Sequence, residues 1–300
     1  MPRIHSLLAL LVAVCWGINF VVIDVGLESF PPLLFAGLRF ALIAFPAVFF
    51  VPRPDVRWPA VVAVGLLMCV GQFGLLFIAM GHGMPAGLAS VILPLQPIFT
   101  ISFAVLALRE RPSARQVAGV CCAVGGLVLI GVGRAHGVPL LGVVLCVAAA
   151  ASWGAGNVVT RAAGATRPFS LLVWASLVAP VSLATLSLIF EGTHRWHEAW
   201  TALPHTKPLL ALGYVVVVAT FFGFGIWTWL MSRHPASTVA PFTLLVPVVG
   251  IVSAWLARGE RPTAAELAGS AVAVLGLALA TGLVGVRVRR RESLKTAQPL

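Results

Sequence analysis

Charge is what this chain has least of. Asp, Glu, Lys and Arg make up 10% of its 300 residues, and only nine of them are carboxylates. Soluble domains carry roughly a quarter charged residues. Against a hydrophobic fraction of 60% and a mean hydropathy of +1.02, that scarcity excludes a soluble globule. No nucleophile–base–acid arrangement, phosphate-binding loop or carboxylate pair is present, so an enzyme has no residues to work with. The five cysteines (Cys15, Cys69, Cys121, Cys122 and Cys146) all fall inside apolar runs, without disulfide or metal-ligand spacing. No cofactor is expected. Low-complexity linkers are missing, and so is the alternation of polar and apolar residues that a membrane barrel needs.

What remains is a series of long apolar runs. A bilayer core takes roughly 20 such residues per spanning helix, and helices are required because lipid offers backbone amides no partner. Ten segments are expected: Ser6–Gly26, Pro32–Val51, Trp58–Met80, Pro85–Leu108, Ser113–Gly133, Leu140–Arg161, Pro168–Phe190, Pro208–Met231, Ala236–Ala257 and Thr263–Val286. Arg3 followed by an apolar run resembles a secretory leader. The small-residue cleavage pattern is missing, so the run is expected to stay as the first helix. The longest connection, Glu191–Lys207, is read as an interfacial loop; its Trp196 and Trp200 suit the headgroup region, and His194 with His197 is a weak metal-site pattern.

A net charge of +11 would suggest nucleic acid if the charges were clustered on one face, but they sit in short connections. With a cytoplasmic N-terminus, Arg3, Arg53, Arg57, Arg109, Arg111, Arg115, Arg161, Arg167, Arg233, Arg287, Arg289, Arg290, Arg291 and Lys295 share the cytoplasmic side. Only Arg134, Arg195, Lys207, Arg258 and Arg261 lie opposite. Fourteen against five satisfies the positive-inside rule. Both termini are expected in the cytoplasm of a bacterial inner-membrane protein, whose expected partners include the lipid bilayer and no nucleic acid; the basic tail reads as a topology anchor.

The chain also repeats itself. Pro85, Pro97, Glu110, Arg111, Pro112, Gly119 and Gly126 recur as Pro235, Pro247, Glu260, Arg261, Pro262, Gly269 and Gly276, at a constant shift of 235 − 85 = 150 residues. CWGIN at Cys15–Asn19 is echoed by SWGAGN at Ser152–Asn157. The expected organisation is one five-helix repeat over residues 6–133, a second over 140–286, and a basic tail over 287–300. Five is odd, so the repeats insert in opposite senses. The expected fold is all-α and integral to the membrane, with ten transmembrane helices in two inverted five-helix repeats. Duplications of this kind are common in transporters.

Polar groups at membrane depth mark candidate sites. Arg39 lies seven positions into the second segment, roughly 10 Å deep at about 1.5 Å per residue. It either receives a substrate carboxylate through a two-pronged contact or pairs internally with Asp24 or Glu28. Trp16 and Asn19 share one helix face, and so do Trp153 and Asn157; each pair lines a cavity or serves close packing beside Gly17, Gly154 and Gly156. Gln72 has no obvious local partner. In PLQP, Pro94 and Pro97 open the helical ladder around Gln96, with Pro241 and Pro247 in the matching helix. Ser113 with Gln116 and Thr263 with Glu266 read as capping boxes, with Glu110, Arg111, Glu260 and Arg261 forming ion pairs in the preceding turns.

These residues also carry a resemblance. The duplicated halves, the WG–N start, PPLLFAGLRF at Pro31–Phe40, MPAGLASVILPLQP at Met84–Pro97 and APFTLLVPVVG at Ala240–Gly250 are similar to the EamA family of the drug/metabolite transporter superfamily. The similarity runs from about Leu7 to Val286. GMPAGLAS and APFTLLVPVVG resemble the bacterial exporters of O-acetylserine and cysteine most. Asp24 departs from that pattern, in which a basic residue is expected. The resemblance implies a ten-helix inner-membrane exporter of small amino-acid metabolites. The substrate would lie centrally among Trp16, Asn19, Arg39, Gln72, Gln96, Trp153 and Asn157. Two rivals are a cationic drug exporter, which would want a cavity-facing glutamate, and a non-transporting membrane scaffold with dry helix interfaces.

Overall fold

The computed structural model describes residues 1–133, 138–202 and 205–282. Among the described residues there is no strand, and nine helices are long and apolar enough to cross a membrane. They are α1 (Arg3–Leu27), α3 (Trp58–Gly81), α4 (Ala86–Leu108), α5 (Ala114–Gly133), α6 (Leu140–Ala162), α7 (Pro168–Phe190), α9 (Thr206–Arg233), α10 (Ala240–Arg258) and α11 (Ala264–Thr281). The apolar helix α2 (Pro32–Val48) is shorter, at 17 residues, still about 25 Å long. It ends three residues before the expected boundary, ahead of Pro52 and Pro54, which disfavour helical backbone before them. The basic tail and the expected end of the last segment lie outside the described residues.

The Glu191–Lys207 connection is not the loop expected from its sequence. Gly192, at φ +81°, turns the chain into a short helix, α8 (Gly192–Ala202). Its Ala199 is buried, and Trp196 Nε1 donates to Ser187 Oγ at 2.8 Å. An amphipathic helix satisfies its own backbone and lays its apolar side on the bundle, which an open loop cannot do. His194 sits against Glu198, and the described residues contain no cluster of three or more metal-ligating side chains.

The long helices are interrupted at defined places. Residues Gly65–Gly71 of α3 and Tyr214–Phe222 of α9 are π-helical, and 65 + 150 = 215 falls inside the second stretch. Leu93–Leu95 of α4 and Ala240–Leu244 at the start of α10 are tight 3-10 turns, where Pro94 and Pro241 withhold amide donors. In α7 the regular ladder breaks at Ser176 and Leu177, because the Pro180 ring crowds the carbonyl four residues back.

One end of the bundle is sewn together by carboxylates. Glu28 accepts from Arg258 Nη1 at 2.6 Å and Lys207 Nζ at 3.1 Å, and Arg258 Nε lies 2.5 Å from Asp24 Oδ2. Glu191 accepts from the amides of Leu33 and Leu34 at 2.7 and 3.3 Å, capping α2. Glu260 accepts from the amides of Ala86 and Gly87, both at 2.9 Å, capping α4. This corrects the expected ion-pair role of Glu260: a helix start offers unpaired donors and a favourable dipole end, and a carboxylate from another helix satisfies both. At the opposite end Glu110 pairs with Arg161, and the Asp55 carboxylate accepts from the Thr166 amide at 3.2 Å. Both capping boxes form, Ser113 with Gln116 and Thr263 with Glu266.

The Glu28 cluster has a testable pH dependence. Hydrogen bonds from Arg258 and then Lys207 hold the Glu28 carboxyl below its ordinary range, against the opposing effect of partial burial. A group depressed in the folded state stabilises it above the unfolded pKa, and that contribution fades as pH falls through the folded value. Acidification below about pH 4 is therefore expected to lower the thermal midpoint of the detergent-solubilised protein. Glu28→Gln should weaken that acid response and cost less than about 1 kcal/mol at pH 7, because the pair is exposed. An unchanged acid response in the variant would clear Glu28 of the effect.

Candidate substrate cavity

A cavity of about 300 Å³ lies at the centre of the bundle, and six of the seven expected residues line it: Trp16, Asn19, Arg39, Gln72, Gln96 and Trp153. Asn157 does not. Its Nδ2 donates to Thr100 Oγ1 at 3.1 Å, and it lines a neighbouring cavity of about 270 Å³ with Thr160 and Thr228. Four positions separate Trp153 from Asn157, slightly more than one helical turn, and that lag carries the amide past the central face of α6.

The helix interruptions position the side chains. Trp16 Nε1 donates to the Ala219 carbonyl at 2.9 Å, inside the π-helical stretch of α9 where the regular ladder is displaced. A Cβ on Gly223 would fall 2.5 Å from that indole nitrogen, so glycine is what makes room for the ring. Tyr214 Oη donates to the Cys15 carbonyl at 2.9 Å, fixing α1 against α9. Across the cavity, Gln96 Nε2 donates to Gln72 Oε1 at 3.1 Å. Gln72 stands where the π-helical stretch of α3 ends, and Gln96 where the 3-10 turn of α4 ends.

Arg39 is the charged residue of the cavity wall. It is 3% exposed, its Nη2 donates to Thr220 Oγ1 at 3.0 Å, and its guanidinium lies 4.6 Å from the Phe73 ring centre. Nε and Nη1 are buried and have no hydrogen-bond partner among the described residues. The expected alternative, pairing with Asp24 or Glu28, does not form: those carboxylates belong to Arg258 and Lys207 at the end of α1. The cavity wall holds no carboxylate among the described residues. The amide oxygen of Asn19 is likewise buried without a partner. Buried polar atoms left open are costly, and charged ones more so. Both residues belong to the lining of the central cavity.

Thr220, Phe73, Phe224 and Thr243 also shape this region, and the sequence reading missed them. Thr220 was detectable as a lone hydroxyl in the run VVVVATFF, and Thr243 as one in APFTLLVP. The two phenylalanines gave no signal among seventeen.

A bundle of apolar, proline-interrupted helices around a central cavity with a few polar groups in a mostly apolar wall is the architecture of a transporter. The chain belongs to the EamA-like transporter family, which it matches twice, over residues 3–132 and 140–282. It is 42% identical over 296 residues to a probable amino-acid metabolite efflux pump of Salmonella typhimurium, covering 97% of this chain and 98% of that one. The protein of the same name in Escherichia coli is 41% identical over the same length. An uncharacterized inner membrane transporter of Escherichia coli, YedA, is 27% identical over 290 residues, covering 94% and 91% of the two chains. A solved crystal structure shares the fold at 22% identity with a TM-score of 0.60, covering 94% of this chain and 98% of the other.

Proposed function

We propose that this protein exports small amino-acid metabolites, with O-acetylserine and cysteine as its first substrates, across the bacterial inner membrane. The observation that carries the reading is Arg39, a buried cation in the wall of the central cavity whose Nε and Nη1 have no partner among the described residues. A metabolite carboxylate supplies the missing charge through a two-pronged contact. The Gln72–Gln96 pair and the Asn19 amide take the polar remainder, and Trp16 and Trp153 form the apolar walls. Asn157 serves the adjoining cavity. A cationic drug would meet a like charge here, which disfavours that rival.

The proposed architecture is ten helices in two inverted repeats with both termini cytoplasmic. It is supported by the double family match, by π-helical stretches recurring about 150 residues apart, and by the fourteen-to-five distribution of basic residues. The halves rock about the cavity to expose it alternately. Proteoliposomes preloaded with labelled O-acetylserine or cysteine are expected to release both faster than protein-free vesicles. Asn19→Ala should slow release several-fold, about what one hydrogen bond to a charged or polar solute contributes. Release no faster than the protein-free rate would end the reading. Reporter fusions at Ser113 and Thr263 are expected on opposite sides of the membrane.

A further inference from the structure

The first turn of α1 meets the end of α9 through two imidazoles. His5 Nδ1 lies 2.7 Å from His234 Nε2, within hydrogen-bond distance, and both rings are half-buried. His5 also stands edge-to-face with Trp229 at 4.9 Å between ring centres, and the Arg233 guanidinium lies 4.3 Å from the same indole. Beside them Ala9, Leu230 and Val239 form a small buried cluster of their own, separate from the main core. A corner with so few buried apolar contacts opens more readily than the core does, so one polar tie weighs heavily in its balance. The other end of α1 is held differently, by the ion pairs of Asp24 and Glu28.

Two imidazoles hold each other only while at least one ring is neutral. A neutral ring has a bare nitrogen that accepts, whereas two imidazolium rings are donors only and repel. The charged groups that bear on His234 are His5, the N-terminal amine and Arg233, and Arg3 stands two residues from His5 on α1. The turn Ala236–Val239 and the 3-10 start of α10, Ala240–Leu244, carry no charged residue. Partial burial, and then these cationic neighbours, hold the His234 imidazole below the ordinary histidine range. The tie is therefore intact at neutral pH and is lost when acid protonates the second ring.

We infer that His5 and His234 form a pH-operated latch that closes the N-terminal end of the bundle and frees α1 from α9 when that side turns acid. Its consequence for transport rests on the export reading above, in which that side is the cytoplasm and its opening loads the carrier. The two helices it ties both line the central cavity, α1 through Trp16 and Asn19 and α9 through Ala219 and Phe224. Efflux therefore rises as the cytoplasm acidifies. The opposite end stays tied over the same range, because its Arg258 and Lys207 partners hold the Glu28 carboxyl below the usual carboxylate range.

A distance measurement and a transport measurement test this together. Nitroxides at Arg3→Cys and Ser232→Cys, both exposed positions, report the gap between α1 and α9 without any solute, in a chain whose five cysteines are replaced by alanine. That distance is expected to lengthen between about pH 7.5 and about pH 5.5, a window spanning the ordinary histidine value. It should stay constant in His234→Gln, whose amide donates and accepts without titrating. Proteoliposomes preloaded with labelled cysteine and buffered alike on both sides should release it several-fold faster at the lower pH. His5→Ala should release it at the fast rate at both values, and His234→Gln at the slow rate at both. A distance that ignores pH, or that lengthens equally in His234→Gln, overturns the latch. Release that follows one pH profile in the parent and both variants overturns it as well. Retention of cysteine by the unmodified protein at both values removes the export reading, and the nitroxide distance then decides the latch by itself.

Discussion

Arg39→Gln is expected to reduce efflux of amino-acid metabolites by roughly a hundredfold or more while the protein reaches the membrane at its normal level. Each hydrogen bond to a charged group contributes about 1.5–3 kcal/mol, and every 1.4 kcal/mol is about tenfold, so loss of a two-pronged contact accounts for that size. The stability effect runs the other way. An arginine at membrane depth costs roughly 2.5–3.5 kcal/mol, and no carboxylate among the described residues compensates it. The glutamine variant should melt no lower than the parent, and cysteine in saturating amounts should raise the midpoint of the parent but not of the variant. Arg39→Lys keeps a charge without the planar fork and should recover only part of the rate. If Arg39→Gln instead exported normally, or melted well below the parent, the residue would be a structural element of the bundle.

The largest effect on folding is expected at the contact between α5 and α11. Gly119 and Gly126 lie against Ala280 and Ala273, and a Cβ on Gly126 would fall 2.6 Å from the Gly269 carbonyl oxygen and 2.8 Å from Ala273 Cα. A Cβ on Gly119 would fall 2.7 Å from the Gly276 carbonyl oxygen. These neighbours are backbone, so no side-chain rotation relieves the clash. In membranes such small-residue contacts supply much of the attraction between helices. Gly126→Leu is expected to cost at least the 1–3 kcal/mol typical of overpacking, lowering the yield of monodisperse protein and its thermal midpoint. Gly125 is the matched control: nothing lies within 4 Å of the Cβ it would gain, and Gly125→Ala should be neutral. Equal tolerance at both positions would show that the two helices are free to part.

Both predictions depend on features that were unequally visible in the chain. Gly119, Gly126, Gly269 and Gly276 stand out through the repeat, but that Gly126 meets Gly269, and Gly119 meets Gly276, follows only from how the two helices face each other. Arg39 was conspicuous as a charge in an apolar run; that it lacks an acidic partner was not. Asp24 and Glu28 were equally plausible partners by position along the chain, and Arg258 claims them from a helix more than two hundred residues away. Glu260 looked like one half of an interfacial ion pair, and the structure uses it to cap α4.

Apolar run length, proline position and the rarity of polar groups are local properties, because lipid forces each spanning segment to satisfy its own backbone. From these the chain alone settled that the protein is a bundle of membrane helices, nearly where each begins, and that Arg39 and Gln72 lie at membrane depth, while the buried serines Ser90, Ser170, Ser176 and Ser187 gave no signal. Contacts between segments carry no such local signature, since any apolar face packs acceptably against another. Only the assembled bundle decided that Asn157 stands outside the central cavity, that four carboxylates cap or bridge distant helices at one end, and that Arg39 lines two neighbouring spaces.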